Sequence, residues 1–220
     1  MDGWKIGFGI YMIFSLLLVA FTVSGPVAAL MGWNDAASGF YRAGEPLCHQ
    51  WVYRSYCIFD TGKGWMVDDC IPANYNGTII ETTKFTPASH SWDGVFKYST
   101  VQIGRNRAEM VERDGMVGYK MVACARDTAI YVGMLFAGFA FLYLRRFIKE
   151  TPTLWFLLIG LIPMGIDGTA QLFGFWESSN PMRFATGFLA GAFIGFYLVS
   201  LLSDVLTRAK GTTRKKFGHK

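Results

Sequence analysis

The stretch EPLCHQWVYRSYC, residues 45–57, sets Cys48 beside His49. A thiolate and an imidazole suit zinc, or copper in a softer environment. Further along, Cys124 stands three residues before Asp127 in CARDTAIYVG, and Asp167 stands four before Gln171 in PMGIDGTAQ. The second spacing projects both side chains from one face of a helix. Glu177 and Asn180 in FWESSNPMR complete a ring of polar residues. Cys48, His49, Cys124, Asp127, Asp167, Gln171 and Glu177 therefore form a candidate polar site, with Cys48, His49, Cys124 and Asp127 as its metal-ligand set. A catalytic zinc in such a site would keep one position open for water and use a carboxylate as general base. Neither H-E-x-x-H nor C-x-x-C occurs in the chain, so no standard metal motif supports the assignment.

The same residues also admit structural roles. Four cysteines allow three pairings, among them Cys48 with Cys124, tying a loop to a helix, and Cys57 with Cys70, closing a short loop. Asp127 has the character of a helix-capping carboxylate. Asp167 suits a hydrogen bond to a neighbouring helix or to Arg126.

The elements that must position these residues are membrane spans. Of 220 residues, 52% are hydrophobic and only 17% charged, and the excess is concentrated in runs. Residues 6–34 hold no charge, and a hydrocarbon layer needs about 20 such residues to be crossed. This is span one, although the small residues of PVAAL also resemble a signal-peptide cleavage point. Residues 128–144, 153–174 and 184–203 supply spans two to four. Four such runs exceed what a soluble interior of this size would bury.

Orientation follows from the basic residues near the spans. Arg145, Arg146 and Lys149 in one short link, Lys5 near the start and six Lys or Arg after residue 204 place both termini in the cytoplasm. The expected organisation is an all-α membrane protein of the cell membrane: span one in residues 1–31, an extracytoplasmic segment in 32–126, spans two to four in 127–203 and a basic tail in 204–220. Within the extracytoplasmic segment a β-rich insert is expected over about 62–118. Its turn signals are TGKG, NYNG and RDG, and GTIIETTKF and GVFKYSTVQI read as strands. Asn76-Gly77-Thr78 has the form of a glycosylation acceptor, and His90 reads as a loop residue.

The net charge of +5 comes mainly from the tail. It fits anionic lipid headgroups or a topology signal, and nucleic-acid binding is not read from it. Helices in lipid associate through small residues. Gly187, Gly191 and Gly195 in span four, and Ala129, Gly133 and Ala137 in span two, each predict a helix-contact face, against one another or against a partner protein.

CHQ followed by RSYCIF, then CARDTAIYVGM, then PMGIDGTAQLFGFWESSNPMRFATG resemble, in order, the signature blocks of an uncharacterised prokaryotic integral membrane family, a domain of unknown function. The resemblance implies a small multi-span bundle with a polar cluster and implies no reaction. Family members usually carry C-A-R-C where this chain has Cys124-Ala-Arg-Asp127, which removes one cysteine from any family metal site or disulfide. The gap between CHQ and CARD is longer than usual, marking roughly residues 62–118 as an insertion.

Three functions compete. One is a membrane metal-binding protein using the polar site, with zinc or copper as cofactor. The second is a non-catalytic accessory subunit of a larger respiratory or oxidative membrane complex, with membrane lipid and other membrane subunits as partners. The third is a four-helix thiol-disulfide oxidoreductase, which would need a reactive, closely spaced cysteine pair. The sequence leaves open whether the protein is an enzyme.

Overall fold

The computed structural model describes residues 2–46, 52–71, 74–75, 78–79, 91–92, 96–103, 106–148, 150–176 and 178–217. Cys48, His49, Glu177, His90 and the Asn76-Gly77 pair of the glycosylation triplet lie outside the described residues. The chain divides into two units: Met1–Val19, Ala129–Phe173 and Phe184–Lys220 form one, and Ala20–Thr128 with Gly174–Arg183 form the other.

Four helices are long and apolar enough to cross a membrane. They are α1 (Gly3–Leu30), α3 (Ala125–Leu144), α4 (Leu154–Leu172) and α5 (Asn180–Phe217). Each overlaps one expected span, α3 and α5 containing theirs whole, but the helix ends do not follow hydropathy. α5 begins four residues before the expected span and continues far into the basic tail, because lysine and arginine are good helix formers and a helix needs no apolar residues to continue.

In the first unit, α1, α3 and α5 share a core of Tyr11, Met134, Ala137, Phe141, Phe196 and Val199. The two small-residue faces meet each other. A Cβ built on Gly191 would strike the carbonyl of Ile130, and one on Gly133 would strike the carbonyl of Phe188. Backbones approach this closely only where side chains are missing. Tyr11 Oη closes the arrangement by donating to the Met134 carbonyl at 2.6 Å. α4 joins through Phe156, whose ring lies 4.5 Å from that of Phe193. Its Leu154, Leu158, Ile162 and Ile166 are exposed at four-residue intervals, the face a lipid-embedded helix presents.

The second unit is built on the end of α1. Pro26 lacks an N–H, so the Thr22 carbonyl four residues earlier loses its helical donor. The Val122 N–H takes that carbonyl instead, at 3.0 Å. Gly25 makes room for it, since a Cβ there would lie 2.6 Å from Val122 Cγ2. α1 stops in a Schellman motif: Gly32 has φ +75°, its N–H donates to Ala29, and Trp33 N–H donates to Ala28. A further helix, α2 (Asn34–Gly44), follows where only a loop was expected. It buries Ala37, Ser38, Tyr41 and Gly44, and Tyr41 Oη donates to the Lys120 carbonyl at 2.8 Å.

A six-stranded antiparallel sheet has the order β2-β1-β8-β7-β6-β5. Its strands are β1 (Tyr56–Asp60), β2 (Trp65–Asp69), β5 (Ser91–Trp92), β6 (Phe96–Ile103), β7 (Asn106–Arg113) and β8 (Met116–Lys120). A separate pair is formed by β3 (Asn74–Tyr75) and β4 (Thr78–Ile79). The sheet therefore begins at Tyr56, before the expected start of the insert, because β1 and β8 pair and enclose it. Asp114 and Gly115, with φ of 52° and 74°, make the tight turn between β7 and β8 that RDG predicts. Cys57 and Cys70 are joined by a disulfide, buried with Val52, Phe59, Ile71 and Val111.

Candidate functional site

Two pairs of the expected polar ring are neighbours along their own helices. At the start of α3, Cys124 acts as the helix N-cap. Its carbonyl accepts from Thr128 N–H at 2.9 Å, and its sulfur accepts from Asp127 N–H at 3.5 Å. Asp127 answers by accepting the Cys124 S–H on Oδ2 at 3.0 Å. This is an N-cap with a thiol in place of the usual hydroxyl, and Asp127 bonds back to the thiol, where the acid of a capping box takes the backbone N–H of the cap residue. Asp127 is thus not the cap itself but the acidic residue of the first turn, where a negative charge suits the helix dipole. Cys124 forms no disulfide with another described cysteine, and the expected pairing with Cys48 lies outside the described residues.

Near the other end of α4, in the first unit, Gln171 Nε2 donates to both the carbonyl and Oδ2 of Asp167, each at 3.2 Å. The four-residue spacing thus brings these two together as read from the sequence. Asp167 is 2% exposed. Among the described residues no group of three or more His, Cys, Asp or Glu side chains is placed to hold a metal ion.

Asn180, also expected in the ring, bonds to the sheet of the second unit. Its Nδ2 donates to Asp69 Oδ1 at 3.0 Å and approaches the Ser55 carbonyl at 3.4 Å. Arg183, one turn along α5, is buried and reaches Asn180 Oδ1 at 3.5 Å. From the end of β7, Arg113 donates through Nη1 to the Asp69 carbonyl at 3.2 Å and through Nη2 to Asp68 Oδ2 at 2.5 Å, while its guanidinium lies 4.7 Å from the Phe59 ring centre. Burial raises the Asp69 carboxyl above its ordinary value; the Asn180 hydrogen bond opposes this, Asp68 adds to it, and Arg113 and Arg183 oppose it. The Tyr56 hydroxyl is pushed up to about 12 by burial and then by Asp69 and Asp68.

A carboxyl raised by burial is a familiar mark of an acid-base group. Here the groups that bond or bias it are an amide, two guanidinium groups and a second carboxylate, and the Tyr56 hydroxyl lies within the field of both carboxyls. The arrangement fastens residues 174–183 to the sheet. The sequence points to Asn180, but not to Asp69, Arg113 or Arg183. The adjacent aspartates beside Cys70 are a signal in hindsight, since the disulfide fixes where Asp69 must point.

Comparison with known proteins bears on the helical part of the chain. Residues 115–197 match the family model described as "Predicted membrane protein (DUF2085)". The match takes in Cys124, Asp127, Asp167, Gln171 and Asn180, and leaves out residues 1–114 and 198–220. An uncharacterised protein of Methanocaldococcus jannaschii is 40% identical over 90 residues, covering 40% of this chain and 58% of its own. An uncharacterised protein of Methanothermobacter thermautotrophicus is 41% identical over 75 residues, covering 34% of this chain and 66% of its own. The chain thus spans less than two thirds of each relative. No solved structure matches the chain. The family description and the four apolar helices together support a location in a membrane.

Proposed function

We propose that this protein is a non-catalytic accessory subunit, anchored by its helices, whose extracytoplasmic sheet receives an extended segment of a partner protein along β2. The observation that carries this reading is the character of β2. Among the described residues it is an edge strand, and its Trp65, Met66 and Val67 are exposed in succession, on alternate faces of the sheet. Edge strands are commonly blunted by lysine, proline or a bulge, because their main-chain groups are a template for another strand. The centre of β2 carries none of these, and its register with β1 is unbroken. An added strand would take the outer main-chain groups and cover apolar side chains on both faces.

The polar residues favour the same reading. Asp68, Asp69, Asp127 and Asp167 each bond a group in their own unit, an arrangement that supports the fold and requires no substrate.

A photo-crosslinking residue at Val67, tested in native membranes, addresses this reading. A single discrete adduct is expected, lost when Met66 is replaced by Pro and not formed from a control at Asp114 in the β7–β8 turn. No adduct at Val67, or the same adduct from Asp114, would set the reading aside.

A further inference from the structure

Four pieces of the first unit lie level at one end. Arg145, just past α3, places its guanidinium 3.6 Å from the Trp4 ring at the start of α1. Thr151, before α4, donates from N at 3.1 Å and from Oγ1 at 2.5 Å to Asp204 Oδ2 of α5. A Cβ on Gly3 would lie 2.5 Å from the Leu206 carbonyl oxygen, so the first turn of α1 also abuts α5 here.

This end has the make-up of a membrane interface. Tyr143, Phe147 and Trp155 are 60%, 68% and 72% exposed, and large exposed aromatic rings collect where acyl chains meet headgroups. The Tyr143 and Phe147 rings lie 6.0 Å apart, and the exposed guanidinium of Arg146 stands 4.9 Å from the Tyr143 ring centre. An arginine held over an interfacial ring is preorganised to offer its planar fork to a phosphate.

α5 passes this level and continues as helix to Phe217. The eleven residues from Thr207 add about 16 Å at 1.5 Å per residue. Arg208 and Lys210 are exposed in the first turn beyond the interface. After Asp204 the chain carries six Lys or Arg and no Asp or Glu, so this extension is cationic throughout. A net charge of one sign next to a membrane surface selects headgroups of the opposite sign.

We propose that this end of the bundle is a binding rim for acidic phospholipid headgroups. Arg146, Arg208 and Lys210 hold the phosphates, and Tyr143, Phe147 and Trp155 seat the rim at the acyl boundary. The basic residues place the rim on the cytoplasmic leaflet by the positive-inside rule. The bound groups are those of the surrounding membrane and not an acidic protein, because the cations adjoin lipid-facing aromatic rings and not a closed apolar groove.

The test uses the full-length protein, partly delipidated and offered equal phosphatidylglycerol and phosphatidylcholine, with retained lipids counted by native mass spectrometry. The wild type is expected to retain phosphatidylglycerol at least about fivefold over phosphatidylcholine, falling as salt rises, since each basic residue near the surface contributes about fivefold. The triple variant Arg146→Gln/Arg208→Gln/Lys210→Gln is expected to show a preference at least about fivefold smaller than the wild type. Lys63→Gln, in the β1–β2 hairpin of the other unit, should leave the preference unchanged. All three substituted rim side chains are exposed, and matching thermal unfolding of variant and wild type checks that folding is intact. Equal retention of the two lipids by the wild type, or a preference undiminished by the triple substitution, overturns the proposal and leaves the basic end to an acidic protein or to topology alone.

Discussion

The N–H of Val122 donates to the carbonyl of Thr22 at 3.0 Å, a bond that exists because Pro26 cannot supply the helical donor. The helix defect is thereby the attachment point for the chain that leaves the sheet. Pro26→Ala restores an N–H at position 26 that competes for the same carbonyl. Amide exchange at Val122 is expected to speed up roughly tenfold, the equivalent of one hydrogen bond of about 1.4 kcal/mol. Unchanged protection would mean that packing against Gly25 and Tyr41 alone holds Val122.

The Asp69 carboxyl titrates above its ordinary value in the folded protein, chiefly because it is buried. The folded state therefore binds the proton more tightly than the unfolded chain, so this group makes the sheet less stable as pH rises from the unfolded value, near 3.9, through the raised one. Asp69→Asn can still accept from Asn180 but carries no charge. The variant should lose that component of pH dependence and match or exceed the wild type at neutral pH, as read by thermal unfolding across about pH 4 to 7. A large loss of stability at neutral pH would show that the nearby charges of Arg113 and Arg183 outweigh the cost of burial.

Gly191 faces backbone, whereas Gly165 on α4 faces open space. Gly191→Ala must push the Ile130 carbonyl away and should cost about 1–3 kcal/mol of bundle stability. Gly165→Ala should be neutral or stabilising by up to about 1 kcal/mol. Unfolding of the two variants in mixed detergent micelles measures the difference, and equal effects would argue against the close α3–α5 contact.

A serine at position 124 reproduces the cap, because a hydroxyl makes the same reciprocal bonds as the thiol. Cys124→Ser is expected to hold stability within about 0.5 kcal/mol, and Cys124→Ala to lose about 1 kcal/mol. Elemental analysis of the same preparations asks the ligand question directly. Stoichiometric zinc or copper lost on Cys124→Ser would give Cys124 a role that the cap does not explain.

The helices were legible in the sequence because hydropathy and helix length coincide inside a membrane. Outside it they part company. α2 is too polar for a hydropathy window, and only its buried positions Ala37, Tyr41 and Gly44, at helical spacing, give it away. The far end of α5 is helical and charged, so a reading based on apolar runs takes it for a tail. Within the site, neighbours in sequence were readable: Gln171 meets Asp167, and Cys124 meets Asp127. Asn180 was read as polar and functional, but its partner Asp69 is 111 residues away. Spacing rules carry no information over that distance.

The same separation matters during synthesis. Asp69 leaves the ribosome with the sheet, while Asn180 follows only after α3 and α4 have been made. Until then the carboxylate has water where the folded protein has an amide. The last hairpin of helices therefore completes a domain encoded before it, so a chain cut short after α3 would expose an unfinished sheet to quality control.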